Sequence, residues 1–427
     1  MDGNSLRSIL SSLRVESRAI VDHPVFNSGE TAMRESFKRL ALAAVASLVA
    51  ACATTATAPG TPEYMLVGVD TKVKFKDDGA VQLLAPGNDS VAIVDIGTDP
   101  AHPRIVASLP LMNSIFGPPT NLAITPDGTL ALVANSLDWT KDGDNWKFVP
   151  DTKLYVIDLT SKPPALIDTV TVGKQPSGLS IRRAGDLALV ANRADNSISV
   201  LSIRAKQVKL VDTVAMGDSV SAVVFTPDGK RAMAAKFPAH KVALLAVDGE
   251  KVTYDKRDIP AGLWPYNLGV AGGGNLVLTA DNGNSGRSDG HVDTVTVIDI
   301  EANPPRLIDK VVVGDSPEGL AVSPTGKLAA AILLGGSDGP KNAWFYNRNG
   351  RVVALKIDGK RASKTGEVEV GGVPEGAVFS PDGRWLYVGN YSDSNISVLR
   401  VDGDTVVNTG VTVALPGPPA SMRGRVQ

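Results

Sequence analysis

A seven-bladed β-propeller, all-β and built of four-stranded antiparallel blades, is the fold class this sequence predicts, on three observations. A short motif recurs seven times: Pro119-Thr120-Asn121-Leu122, Pro176-Ser177-Gly178-Leu179, Val220-Ser221-Ala222-Val223, Pro265-Tyr266-Asn267-Leu268, Pro317-Glu318-Gly319-Leu320, Pro374-Glu375-Gly376-Ala377 and Pro419-Ala420-Ser421-Met422. A period of roughly forty to sixty residues belongs to blades arrayed around an axis. A Pro-Asp-Gly turn follows the motif in three units (Pro126-Asp127-Gly128, Pro227-Asp228-Gly229, Pro381-Asp382-Gly383), with Pro324-Thr325-Gly326 close to it. Proline presets the first corner, aspartate caps it, and glycine takes the positive φ that closes a hairpin. Finally, short runs such as Ile198 to Ile203 alternate apolar and polar residues, the period of a pleated strand.

In chain order, the first element is an address. Met33 to Cys52 carries Arg34, Lys38 and Arg39 ahead of a short apolar core, Leu40 to Val49. That core is about ten residues, where a membrane span needs roughly twenty. It ends in Val49-Ala50-Ala51-Cys52, which resembles the bacterial lipobox. The resemblance implies export, acylation of Cys52 and, with Ala53 after the cysteine, an outer-membrane anchor. A plain signal peptide cleaved near the same place and releasing a periplasmic protein is the alternative. The expected organisation is a misassigned extension over 1–32, a signal peptide over 33–52, a flexible tether over 53–63 and the propeller over 64–427.

Residues 176–215 show the grammar of one blade: a strand from Gly178 to Ile181, a turn at Ala184-Gly185-Asp186, a strand Leu187-Ala188-Leu189-Val190-Ala191 ending in Asn192, a third from Ile198 to Ile203 and a fourth from Val208 to Val214. The second strands Leu130-Ala131-Leu132-Val133-Ala134-Asn135 and Leu386-Tyr387-Val388-Gly389-Asn390 resemble the Tyr-Val-Thr-Asn signature of YVTN propellers. Six units are complete. The seventh is expected to combine Pro419 to Arg425 with Val81 to Leu84 and Val91 to Ile96, with Tyr64 to Phe75 as a possible further strand. Such closure removes open sheet edges.

Composition excludes several functions. With 43 basic and 45 acidic residues the net charge is -2, so there is no broad positive field for nucleic acid or an anionic membrane. The single cysteine permits neither an intrachain disulfide nor a cysteine-ligated metal. There is no His-Glu-x-x-His, no phosphate-binding Gly-x-x-x-x-Gly-Lys and no Cys-x-x-Cys-His.

Three irregular insertions, Ser136 to Thr152, Asp281 to His291 and Leu334 to Gly350, join second to third strands and therefore crowd one face with the seven motifs. Long loops on a rigid scaffold are where binding resides. They hold Trp139, Trp146, Phe148, Trp344, Phe345 and Tyr346, with Trp264 and Tyr266 nearby. These aromatics form either an aromatic-lined pocket or small satellite cores. Glu318 and Glu375 occupy matching positions in adjacent blades, where like charges raise a pKa; Asn121 and Asn267 sit one place later in their motifs. The four oxygens resemble the divalent-metal site of the regucalcin and gluconolactonase group, which implies calcium; carboxylates capping backbone amides are the alternative. A basic set comprises Arg182, Arg183, Lys236, His240 and Arg423, with His240 a candidate general base or a surface residue. Lactonases of the phosphogluconolactonase type carry Pro-Arg-(His/Asn)-Phe at the start of a blade, where this chain reads Pro-Ser-Gly-Leu or Pro-Glu-Gly-Leu.

Three functions follow. The first is a cell-envelope binding or scaffold module that presents its loop-rich face to a protein, peptide or glycan. The second is a lactonase-like hydrolase with a channel metal, and the third is an accessory to a periplasmic redox system.

Overall fold

The computed structural model describes residues 60–283 and 286–426; the signal segment, Cys52 and the extension before them lie outside the described residues. The described chain forms seven four-stranded antiparallel sheets arranged as a seven-bladed propeller. The first blade to form from the N-terminus is the closing one. Its innermost strand is the C-terminal Pro419–Gly424, followed outward by Tyr64–Val69, Ser90–Asp95 and Arg104–Leu109. Met65 pairs with Gly424 and Tyr64 with Asp95, so the two ends of the chain are stitched into one sheet.

The next six blades run in simple order from inside to outside. Their innermost strands are Leu122–Ile124, Pro176–Ile181, Val223–Phe225, Pro265–Ala271, Pro317–Val322 and Pro374–Phe379. Each of the seven motifs therefore opens an innermost strand, and each Pro-Asp-Gly turn closes its far end.

One expectation about the closing blade is corrected. Val81–Leu83 is not a blade strand; it pairs with Val73–Phe75 in a small hairpin between the second and third strands. Tyr64–Val69 takes its place because it is fully apolar on both faces, MLVGV being buried throughout. In Val81–Leu83 no residue is fully buried. A second hairpin, Leu137–Asp142 with Asn145–Pro150, fills the insertion at the corresponding place in the next blade. Among the described residues no helix is long and apolar enough to cross a membrane.

The core is a series of clusters between neighbouring blades. Leu189, Ile198 and Val200 of one blade, for instance, pack on Phe225, Ala232, Ala234 and Leu245 of the next. Both faces of a blade are covered, so its middle strands carry apolar residues at consecutive positions rather than alternate ones. At the axis the innermost strands approach one another closely. A Cβ on Gly319 would stand 2.3 Å from the carbonyl oxygen of Glu375, and one on Gly376 would stand 2.5 Å from the amide nitrogen of Met422. Nothing larger than hydrogen fits at the third place of those motifs. Gly319→Ala is therefore expected to lower unfolding free energy by about 1–3 kcal/mol, measurable by urea denaturation, and to displace the strand that carries Glu375.

Candidate functional site

The second residue of each motif falls at the same height on its innermost strand. These residues are Thr120, Ser177, Ser221, Tyr266, Glu318, Glu375 and Ala420, and all are buried. Period-two alternation sends every one toward the axis or none. Tyr266, Glu318 and Glu375 line a cavity of about 300 Å³ at the loop-rich mouth of the channel. Arg193, Arg287, Asp338, Gln175, Trp264 and the rings of Phe116 and Phe148 complete the wall at different heights.

Three residues that border this cavity, Gln175, Trp264 and Val373, take left-handed φ values of 57°, 58° and 48°. Each directly precedes the proline that opens an innermost strand. Neither a side chain nor a following proline favours that conformation, and non-glycine strain of this kind gathers at functional sites. Here it turns the chain sharply into the channel mouth.

The two glutamates are 8% and 2% exposed, for Glu318 and Glu375 respectively. Burial raises Glu318 from its ordinary 4.5 to about 8, with Asp338 adding to the rise and the Arg193 guanidinium opposing it. Burial also lifts Glu375 well above its ordinary value, and the charges of Glu318 and Asp338 reinforce that shift. No cation opposes it, and Glu375 Oε2 has no hydrogen-bond partner. The pair is thus a buried acid couple with different environments, the pattern that separates an acid from a base.

Arg193 is held over the cavity by aromatic faces. Its Cζ lies 5.0 Å from the Phe237 ring centre and 5.6 Å from that of Tyr266. Nη1 donates to the Phe116 carbonyl and to Tyr266 Oη, both at 3.3 Å. Burial keeps the Tyr266 hydroxyl protonated far above its usual range. Asp338 accepts the Ser288 amide through Oδ2 at 3.3 Å and leaves Oδ1 without a partner.

A stability signature follows. A carboxyl whose folded pKa lies above its unfolded value binds extra protons in the folded state. Its burial therefore costs nothing at low pH and costs progressively more as pH rises from about 4.5 through about 8. Glu318→Gln is expected to melt with wild type at pH 4.5 and above it at pH 8.5, as read by differential scanning calorimetry at both values. Equal melting at both would contradict the buried-acid assignment.

The other candidates separate from this cluster. Neither Asn121 nor Asn267 lines the cavity. Asn121 Nδ2 donates to the Ala134 carbonyl at 2.8 Å, and Asn267 Oδ1 accepts the Leu268 amide at 2.8 Å. Among the described residues no group of three or more His, Cys, Asp or Glu is placed to hold a metal. Asn121 and Asn267 thus stand apart from the cavity that Glu318 and Glu375 line.

The basic set does not face the glutamates either. Lys236 is buried against Asp218 at 2.7 Å, Asp258 at 2.9 Å and Tyr254 Oη at 3.1 Å. His240 is exposed, and its Nδ1 accepts the Trp264 amide at 3.0 Å. Arg183 and Arg423 border the opposite mouth. Of the insertion aromatics, Trp139 belongs to a satellite core with Ile115, Leu137 and Leu334, whereas Phe148 reaches the cavity. Trp344, 80% exposed, and Tyr346 lie outside it. Arg193, Arg287 and Asp338 were not singled out by sequence. Only Arg193 had a usable signal, since it directly follows the asparagine that ends a second strand.

No curated protein matches the sequence significantly. Among solved structures, the periplasmic gluconolactonase of Pseudomonas aeruginosa is 21% identical, with a TM-score of 0.59 over 86% of this chain and 99% of that one. A protein of Bacteroides fragilis provisionally assigned as a 6-phosphogluconolactonase is 15% identical, with a TM-score of 0.64 over 87% and 99%. A functionally unknown protein of Desulfotomaculum acetoxidans is 13% identical, with a TM-score of 0.61 over 85% and 99%. At such identities these likenesses establish the fold. The family model described as "Lactonase, 7-bladed beta-propeller" matches residues 123–262 and 286–423, more than half of the chain, and favours the lactonase-like reading over a scaffold role. The chain belongs to the seven-bladed β-propeller lactonase family.

Proposed function

We propose that this protein hydrolyses a small lactone, of the sugar-acid type, in the cavity at the loop-rich mouth. The observation that carries the reading is the buried pair Glu318 and Glu375 facing one cavity with the Arg193 guanidinium, in a chain of a lactonase family. A cavity of about 300 Å³ is of the size that takes one small ring. Trp264, Tyr266 and Phe116 offer apolar faces to its C–H surface.

In the proposed reaction Glu318, as the carboxylate, takes a proton from water as the water oxygen bonds to the lactone carbonyl carbon. The carbonyl oxygen becomes an alkoxide, and the fixed positive charge of Arg193 stabilises it. As the carbonyl re-forms, the bond to the ring oxygen breaks, and protonated Glu375 delivers its proton to that oxygen. The product is an open hydroxy acid, and a proton passing from Glu318 to Glu375 through solvent restores the site. Arg193 favours the charged form of Glu318, and nothing equivalent acts on Glu375, so these roles match the environments. The lipobox-like segment ending at Cys52 would place this activity in the cell envelope, with the lipid as the only membrane attachment.

The test is hydrolysis of glucono-δ-lactone followed in a pH-stat, corrected for spontaneous opening. The reading requires a saturable enzymatic rate that rises with pH toward about 8. A rate equal to the uncatalysed one across aldonolactones of five and six carbons would overturn it.

A further inference from the structure

The channel has a second mouth, ringed by the Pro-Asp-Gly turns, and it holds a cavity of about 350 Å³. The fifth residue counted from the start of each motif faces this space in all seven blades: Ala123, Ser180, Val224, Gly269, Ala321, Val378 and Arg423. Six of these are small or uncharged. The seventh is an arginine delivered by the C-terminal strand, where Leu66 pairs with Arg423 in the closing blade. A long cation thus projects into a channel that the other six blades leave open around it.

That cation has nothing to answer it. Among the described residues no hydrogen bond or ion pair is made by the Arg423 guanidinium, and burial alone acts on it, pulling its pKa below the usual arginine value. Among the described residues Glu63 is the sole acidic one on the cavity wall, and its Oε1 accepts from Arg425 Nε at 2.7 Å. Arg183 stands on the same wall. Arg423 is half-buried, so its guanidinium is only partly hydrated and is open to an anion that enters the cavity. Phe225, Val224 and Phe379 give the same space apolar walls.

We infer that the turn-side mouth is a second binding site, separate from the glutamate cavity, in which Arg423 takes a small oxyanion, a carboxylate or a phosphate group. The guanidinium fork matches two oxygens of either group. Ser180, whose Oγ already accepts the Phe225 amide at 3.3 Å, keeps its own hydroxyl proton free to donate. The site is independent of the proposed hydrolysis, and its loss leaves that activity to the opposite mouth.

The experiment is isothermal titration of the purified protein with inorganic phosphate, and separately with acetate, at constant ionic strength with chloride as the balancing ion. The expected result is one saturable anion per chain for at least one probe. Arg423→Gln should weaken it at least tenfold, Arg423→Lys should weaken it less, and Glu375→Gln at the far mouth should leave it unchanged. A phosphate-preferring or acetate-preferring response assigns the ligand to the phosphate-ester or the carboxylate class.

Thermal melts separate a ligand site from a structural role. Without anion, Arg423→Gln should melt at or above the wild-type temperature, since an unpaired, half-buried charge has been removed. Saturating phosphate or acetate should raise only the wild type. Absence of saturable binding for both probes overturns the inference. So does equal affinity in Arg423→Gln, and so does a variant that melts lower by the same amount with and without anion.

Discussion

Glu375→Gln is expected to lower kcat for lactone opening by about 10²–10⁴-fold, the usual worth of a positioned proton donor, with little change in KM. Glutamine keeps the size of the side chain and its hydrogen-bonding capacity but cannot release a proton to the departing ring oxygen. The burial of Glu375 and the charges around it hold its carboxyl protonated where an exposed glutamate would be ionised. The substitution therefore removes the acid without removing a charge. The pH profile distinguishes this from structural damage: wild type should lose rate as Glu375 ionises, and Glu375→Gln should lack that loss. Glu318→Gln should lose the rise toward about 8. A Glu375→Gln variant that keeps the full wild-type profile removes Glu375 from the mechanism.

Arg193→Met carries the second large effect. Loss of a fixed donor to a developing oxyanion lowers kcat by about 10²–10³-fold. Methionine preserves contact with the Phe237 and Tyr266 rings, so the effect reads the charge and not the packing. A second consequence has a definite sign. Arg193 lowers the Glu318 pKa, so its removal should move the rising limb to higher pH. Tyr266→Phe tests Tyr266 as a positioning residue. It removes the oxygen to which Arg193 Nη1 donates at 3.3 Å and should reduce kcat by less than Arg193→Met, shift the limb slightly, and leave KM within about twofold, since one neutral hydrogen bond contributes about 1 kcal/mol.

What could be read from the sequence was whatever kept the repeat register. The seven motifs mark the innermost strands, and the equivalence of their second residues brings Glu318, Glu375 and Tyr266 to one level of the channel. Asn121 and Asn267 stand one residue farther along their motifs and do not line that cavity. Asn121 Nδ2 donates to the Ala134 carbonyl and to Asn113 Oδ1, and Asn267 Oδ1 accepts the Leu268 amide. Arg193 also keeps a register, the residue after the strand-ending asparagine, but no alternation marks a loop position. Arg287 and Asp338 come from insertions of irregular length, for which no repeat predicts a height in the channel.

The closing blade shows the same limit. Val81 to Leu84 and Tyr64 to Val69 both read as β-forming, and only the demand that a middle strand be buried on both faces separates them. Arg423 was visible as a charge near the C-terminus, but its place in the channel required the pairing with Leu66.

The most direct test of the central claim is the kcat–pH profile for glucono-δ-lactone, measured for wild type, Glu318→Gln and Glu375→Gln over pH 5–10 with spontaneous hydrolysis subtracted. A rise centred near pH 8 in wild type that is lost in Glu318→Gln, with kcat in Glu375→Gln lower by about 10²–10⁴-fold, is the predicted result. A flat wild-type profile, or the same profile and rate in all three proteins, would contradict it.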